Sequence, residues 1–181
     1  MGLWGKHSDW AELGAFFSGV YSPLIAFLAL LVLSRQKKAQ DKMDKHYYDT
    51  AFLVENKKEL HYYLERLEEY LDKPDQSGVL IRDKLLTSVG LHSKEQLDIH
   101  NKEISNFIYF THPKAMRYWL AIKTGLQGLD SINEASYKNQ LAGSLLKIST
   151  VLSYEMCVTL DKISYCSDYK SPKQCFYFWH E

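Results

Sequence analysis

The chain has no excess of either charge: Lys plus Arg is 22 and Asp plus Glu is 22, so the formal net charge is zero with histidines neutral. General nucleic-acid binders show a basic surplus, so no nucleic-acid partner is expected. Glycine and proline are few, at 9 and 4 residues, which excludes a collagen-like or low-complexity chain. Cysteine is scarce as well. Cys157, Cys166 and Cys175 contain no C-x-x-C pair, and with His180 they make no zinc-ligand spacing, so neither a metal site nor a disulfide framework is expected. Sustained apolar–polar alternation is absent, which argues against a sheet. Walker loops, G-x-S-x-G, H-E-x-x-H and the dinucleotide fingerprint are all missing. His61 with Glu65 and His100 with Glu103 share helix faces, and read as solvated surface pairs. No catalytic residue, no cofactor and no small-molecule substrate are therefore expected.

What is present is unevenly distributed. The 181 residues suit about one domain, and 46% hydrophobic with 24% charged residues is ordinary for a globular chain. The mean hydropathy of −0.31 hides one lipid-like stretch. Residues 13–34, LGAFFSGVYSPLIAFLALLVLS, contain no Asp, Glu, Lys, Arg or His. As a helix this run is about 33 Å long at 1.5 Å per residue, matching the roughly 30 Å hydrocarbon core of a bilayer. Trp10 and Tyr21, with Trp4 before the span, suit interfacial positions. A cleaved signal peptide fits poorly. Lys6 is offset by Asp9 and Glu12, and the run ends in LSRQKK without a small-x-small site.

The flanks set the expected orientation. Arg35, Lys37, Lys38, Lys42 and Lys45 follow the span, and only Lys6 and the amino terminus precede it. The positive-inside rule then places the N-terminus outside and the rest in the cytoplasm, a single pass through the inner membrane. The five basic residues would face anionic lipid headgroups. Within the span, Gly14, Ser18, Ser22 and Ala26 recur every fourth residue beside Gly19, a small-residue face that lets a second helix approach closely. Pro23 lacks an N–H and weakens the helix near mid-span. Packing into an oligomer and serving as a plain anchor both fit this pattern.

Beyond the span the pattern is helical, and the expected fold is all-α: a short extracytoplasmic N-terminus over 1–12, a 13–34 transmembrane helix, a 35–73 amphipathic juxtamembrane helix and a 74–181 helical bundle. Leu53, Leu60, Leu64, Leu67 and Leu71 follow seven-, four- and three-residue steps, interrupted by Lys57. They form either the buried stripe of a helix packed on its own domain or a coiled-coil seam joining protomers or a partner. Asp72-Lys73-Pro74 ends that helix. A helix over 79–89 stops at Gly90, and Ser93 with Gln96 forms a capping box opening the next. Pro113 starts another, which ends near Gly125 or Gly128. One long final helix runs from Ser131 or Ser136 to Tyr165. The aromatic tail CFYFWHE is a short strand, a helix turn or a plug docked on the bundle.

One resemblance bears on function. The segment ELGAFFSGVYSPLIAFLALLVLSRQKKAQD resembles the membrane segment of the AbiC-like family of phage abortive infection proteins. The matching positions are Gly14, Phe16, Phe17, Gly19, Pro23, Phe27, Leu30 and Gln36. A fainter likeness lies in LAGSLLKISTVLSYE, at Leu152, Ser153 and Glu155. Family members often carry a further upstream membrane helix, which this chain does not show. The resemblance implies a membrane-anchored helical effector or sensor of bacterial anti-phage defence, working by growth arrest or membrane damage. A membrane-tethered scaffold that recruits a cytoplasmic partner is the alternative.

Overall fold

The computed structural model describes residues 7–167 and 175–180. Trp4 and Lys6, which enter the expected topology, lie outside them. Among the described residues all regular structure is helical, and the only bridge is an isolated one between Pro74 and Leu80. By compactness the chain divides into Met1–Ala51 and Phe52–Glu181.

The first unit is helix throughout its described residues. α1, His7–Leu71, is one uninterrupted helix of 65 residues that continues through Pro23. The expected division at residue 34 is therefore not a break in structure, only in chemistry. No glycine or proline occurs between 36 and 71 to stop the helix.

The second unit takes the last turns of α1 and five further helices. α1 stops at Leu71, as the Pro74 signal predicts. The following turn is organised by Asp75. Its carboxylate accepts from the Ser77 amide at 2.7 Å and from the Lys84 ammonium, and Gly78 supplies the positive φ of 82°. Lys84 and then Ser77 hold the Asp75 carboxyl well below the usual carboxylate range. α2, Ile81–Leu85, widens into a π-turn over Leu86–Gly90. Lys162 explains where this segment stops: its ammonium donates to the carbonyls of Gly90 and His92 at 2.7 and 2.8 Å, a cation on a helix C-terminus. A Cβ on Gly90 would lie 2.9 Å from Thr159 Oγ1, so any larger residue there makes the Thr159 side chain or the turn shift.

α3, Lys94–Thr111, opens with the expected capping box. Gln96 N donates to Ser93 Oγ at 3.4 Å, and Ser93 N donates to Gln96 Oε1 at 2.9 Å. Pro113 is the first residue of α4, Pro113–Asp130. α4 ends at Asp130, just past Gly128, and Gly125 and Gly128 both lie within its last two turns. They are where α1 crosses it: Cβ atoms there would meet Leu60 Cδ2 at 3.0 Å and the Phe52 ring at 3.4 Å, and Asn56 Nδ2 donates to the Gly125 carbonyl at 3.1 Å.

The single final helix is a misreading. Two helices replace it, α5 (Ala135–Leu152) and α6 (Tyr154–Ser167), with axes 103° apart. Ser153 sits between them at φ 69°, ψ 153°, a region that is almost wholly glycine's. Its hydroxyl accepts from Met156 N at 3.3 Å and so caps α6. No proline or glycine marks the corner, which is why periodicity ran straight through it.

The leucine stripe is settled by burial. Leu60, Leu64, Leu67 and Leu71 are 7%, 2%, 0% and 0% exposed, in one core with Trp119, Ile122, Leu126, Ile148 and Leu160, and half-buried Leu53 packs against them. The seam reading is thereby corrected, because the chain's own bundle occupies these side chains and leaves none for a second chain. The tail resolves as a plug. Phe178 is 5% exposed, with its ring against Trp119 and Tyr154, and its carbonyl accepts from the Tyr154 hydroxyl at 2.8 Å.

The Ser153 corner is testable by melting the protein in detergent. Ser153→Gly relieves the backbone and raises stability by about 1 kcal/mol, whereas Ser153→Val, β-branched at positive φ, lowers it by about 2 kcal/mol. Equal melting of both variants and the parent would show an unstrained corner.

Candidate functional site

The apolar run of α1 is uncovered among the described residues. None of its most apolar eighteen-residue window is buried. Phe16, Ile25 and Leu30 are about two-thirds exposed, at 65%, 64% and 65%. Val20, Leu24, Phe27, Leu28, Leu31 and Leu33 are exposed too, so apolar side chains surround the helix and do not form one stripe. Monomeric soluble proteins rarely leave apolar patches beyond a few hundred Å² uncovered. This helix is long and apolar enough to cross a membrane. The pair α5–α6 also passes on apolar length if taken as one bent span, but its inner faces form the bundle core, through Ile148, Leu152, Met156 and Leu160.

The expected contact residues lie open on this helix. Gly14, Ser18, Gly19, Ser22, Pro23 and Ala26 are all exposed, and a Cβ added at Gly14 or Gly19 would meet nothing within 4 Å. Pro23 removes the amide that would bond the Gly19 carbonyl four residues back. Phe17 and Tyr21 stack one turn apart, with ring centroids 5.4 Å apart. Arg35, Lys37, Lys38, Lys42 and Lys45 are exposed within eleven residues after the apolar run, inside the reach over which basic residues govern orientation.

Two buried ionisable groups of the bundle, Asp161 and His112, serve its packing. Asp161 is fully buried, and its Oδ2 accepts from the backbone amides of Tyr177 and Phe178 at 3.1 and 3.0 Å. Burial pushes its carboxyl up, opposed by the Phe178 amide and by Lys123. The ammonium of Lys123 also lies 4.8 Å from the Phe176 ring centroid. Asp161 thus clasps the aromatic tail, a role that no linear motif announces. His112 is buried between α3 and α4. Its Nδ1 is 3.3 Å from the Tyr70 hydroxyl, and burial followed by the nearby Lys84 lowers its pKa, so the ring is neutral. Among the described residues no three His, Cys, Asp or Glu side chains converge as metal ligands. His100 and Glu103 form the expected exposed pair at 3.1 Å. His61 and Glu65 do as well, but His61 has a second partner that the sequence did not reveal. The Lys147 ammonium, 86 residues away, donates to its Nδ1 at 2.9 Å.

The cysteines test this burial. Burial raises the Cys157 thiol to about 12 and the Cys166 thiol to about 11, so neither forms thiolate at neutral pH. With a water-soluble disulfide reagent at slightly alkaline pH, half-buried Cys175 reacts first, and the other two react only after denaturant is added. Rapid labelling of Cys157 in the native protein would contradict the packing of α6.

No family model, curated protein or solved structure matches this chain.

Proposed function

We propose that this chain is a membrane-anchored, all-helical effector of bacterial anti-phage defence that acts by associating in the inner membrane and perturbing it. The observation that carries the anchored part is the uncharged, uncovered run of residues 13–34. Such a surface is at rest in lipid and unstable in water. The N-terminus lies outside and the bundle in the cytoplasm, an orientation supported by Arg35, Lys37, Lys38, Lys42 and Lys45 on one flank. These side chains meet anionic headgroups. Association falls to the span, because the leucines of α1 are already used inside the bundle. Gly14, Ser18, Gly19, Ser22 and Ala26 supply the close-approach face, and Pro23 frees a carbonyl beside it. The defence role rests on the likeness of residues 12–41 to the AbiC-like family. No catalytic residue takes part in this reading.

A second reading has an observation of its own. Leu91, Ile99, Tyr109 and Phe110 are 87%, 76%, 71% and 77% exposed on the bundle, which suits a scaffold that recruits a partner while the span only localises it. Replacing residues 13–34 with an unrelated single-pass anchor separates the two. Lost activity with intact insertion supports the effector, and retained activity supports the scaffold.

The effector reading is tested by expressing the chain with a membrane-potential dye during phage challenge. The wild type depolarises the cell and lowers phage yield, whereas Gly19→Leu resists alkaline extraction from the membrane yet does neither. Unchanged potential and phage yield with the wild type would overturn the proposal.

A further inference from the structure

The second partner of His61 lies at the edge of a cavity of about 370 Å³ between α1 and α5, a volume in the range of small-molecule sites. Helical spacing builds it from both sides. Lys57, His61 and Leu64 stand at four- and three-residue steps on α1; Gln140, Ser144 and Lys147 do the same on α5. Its floor is core: Leu60, Leu64 and Ile148 are 7%, 2% and 2% exposed. Gly143 keeps the mouth open, since a Cβ there would touch nothing within 4 Å.

The charged groups on the wall are of one sign. Lys57 and Lys147 are cations, and no carboxylate lines the cavity. Lys147 donates to a neutral acceptor, His61 Nδ1, at 2.9 Å, so that contact leaves its charge uncompensated. The His61 proton is therefore on Nε2, where it is given to Glu65 Oε1 at 3.1 Å on the far side of the ring. An ammonium has three N–H donors and His61 takes one, so two remain for a ligand. Lys57, Gln140 and Ser144 add further donors. Two ammonium groups match the charge of about −1.5 to −2 on a phosphomonoester. The apolar floor and the volume call for an organic body attached to it.

We propose that this cavity binds a phosphomonoester carried on a small, flat or apolar body. The site departs from the expectation that no small molecule binds, and it does not rest on the defence reading. Lys57 and Lys147 hold the phosphate, and His61 and Glu65 position Lys147. The body lies over Leu60, Leu64 and Ile148.

The probe is phenyl phosphate, followed by saturation-transfer NMR on the full chain in nanodiscs of zwitterionic lipid. Transfer to the ring protons is expected with the wild type, and inorganic phosphate competes more weakly than unlabelled phenyl phosphate. In Lys57→Gln/Lys147→Gln the apparent Kd rises about tenfold or more. Gly143→Leu blocks the mouth and abolishes transfer while favouring helix, so lost binding in that variant is not lost folding. Nanodiscs doped with phosphatidic acid identify the source. Loss of the signal assigns the phosphate to a lipid headgroup, an unchanged signal assigns it to a soluble molecule, and both support the site. No transfer with the wild type, equal transfer in both variants, or phenol binding as well as phenyl phosphate would overturn it.

Discussion

An apolar helical surface left uncovered among the described residues is the constraint from which the rest follows. Between Phe16 and Leu33, twelve large apolar side chains are exposed, each by roughly half. Fully burying one such side chain is worth about 1.5–3 kcal/mol, so the uncovered surface is worth on the order of 10–20 kcal/mol. That equals or exceeds the whole stability of an ordinary domain, about 5–15 kcal/mol. No adjustment inside the Phe52–Glu181 unit offsets a term of that size. A bilayer of about 30 Å matches the run's own length and is a medium that can supply it. The basic residues from Arg35 to Lys45 then stand where a headgroup layer would begin.

The same helix meets its two halves with different solutions. From Trp10 to Ala51 its side chains are almost all exposed; from Phe52 onward Leu60, Leu64, Leu67 and Leu71 are core. The change is one of sequence period. All-round apolarity gives way to a stripe at three- and four-residue steps, with Glu55, Lys58, Glu65 and Glu69 on the outer face. The bundle is closed by devices of low sequence visibility. Lys162 ends the π-turn, Asn56 ties α1 to the Gly125 carbonyl, and Asp161 holds the aromatic tail. Each joins positions far apart in the chain, so deleting one partner leaves a buried polar group unpaired.

How much of this was legible depended on whether the signal was local. The apolar run, the Pro74 stop, the Ser93 capping box and Pro113 at the head of α4 are set by neighbours within a turn, and the structure keeps them. The Ser153 corner was not legible, because a serine at positive φ has no turn signature and the apolar period continues across it. Gly125 and Gly128 do stand near the end of α4 at Asp130, but they are also a crossing point, which only the position of α1 reveals. A periodic leucine stripe looks the same whether it faces its own bundle or another chain, and only burial decided between them. The Lys147–His61 contact spans 86 residues and could not be read from either segment alone.

The most direct test of the uncovered helix is its depth in a bilayer. In a Cys175→Ser background, nitroxide labels at Leu28→Cys and at Lys42→Cys are compared in liposomes for collisions with oxygen and with a water-soluble nickel chelate. The account predicts that the label at 28 meets oxygen and is shielded from nickel, and that the label at 42 shows the reverse. Equal, high nickel accessibility at both positions would place the apolar run in water and contradict it.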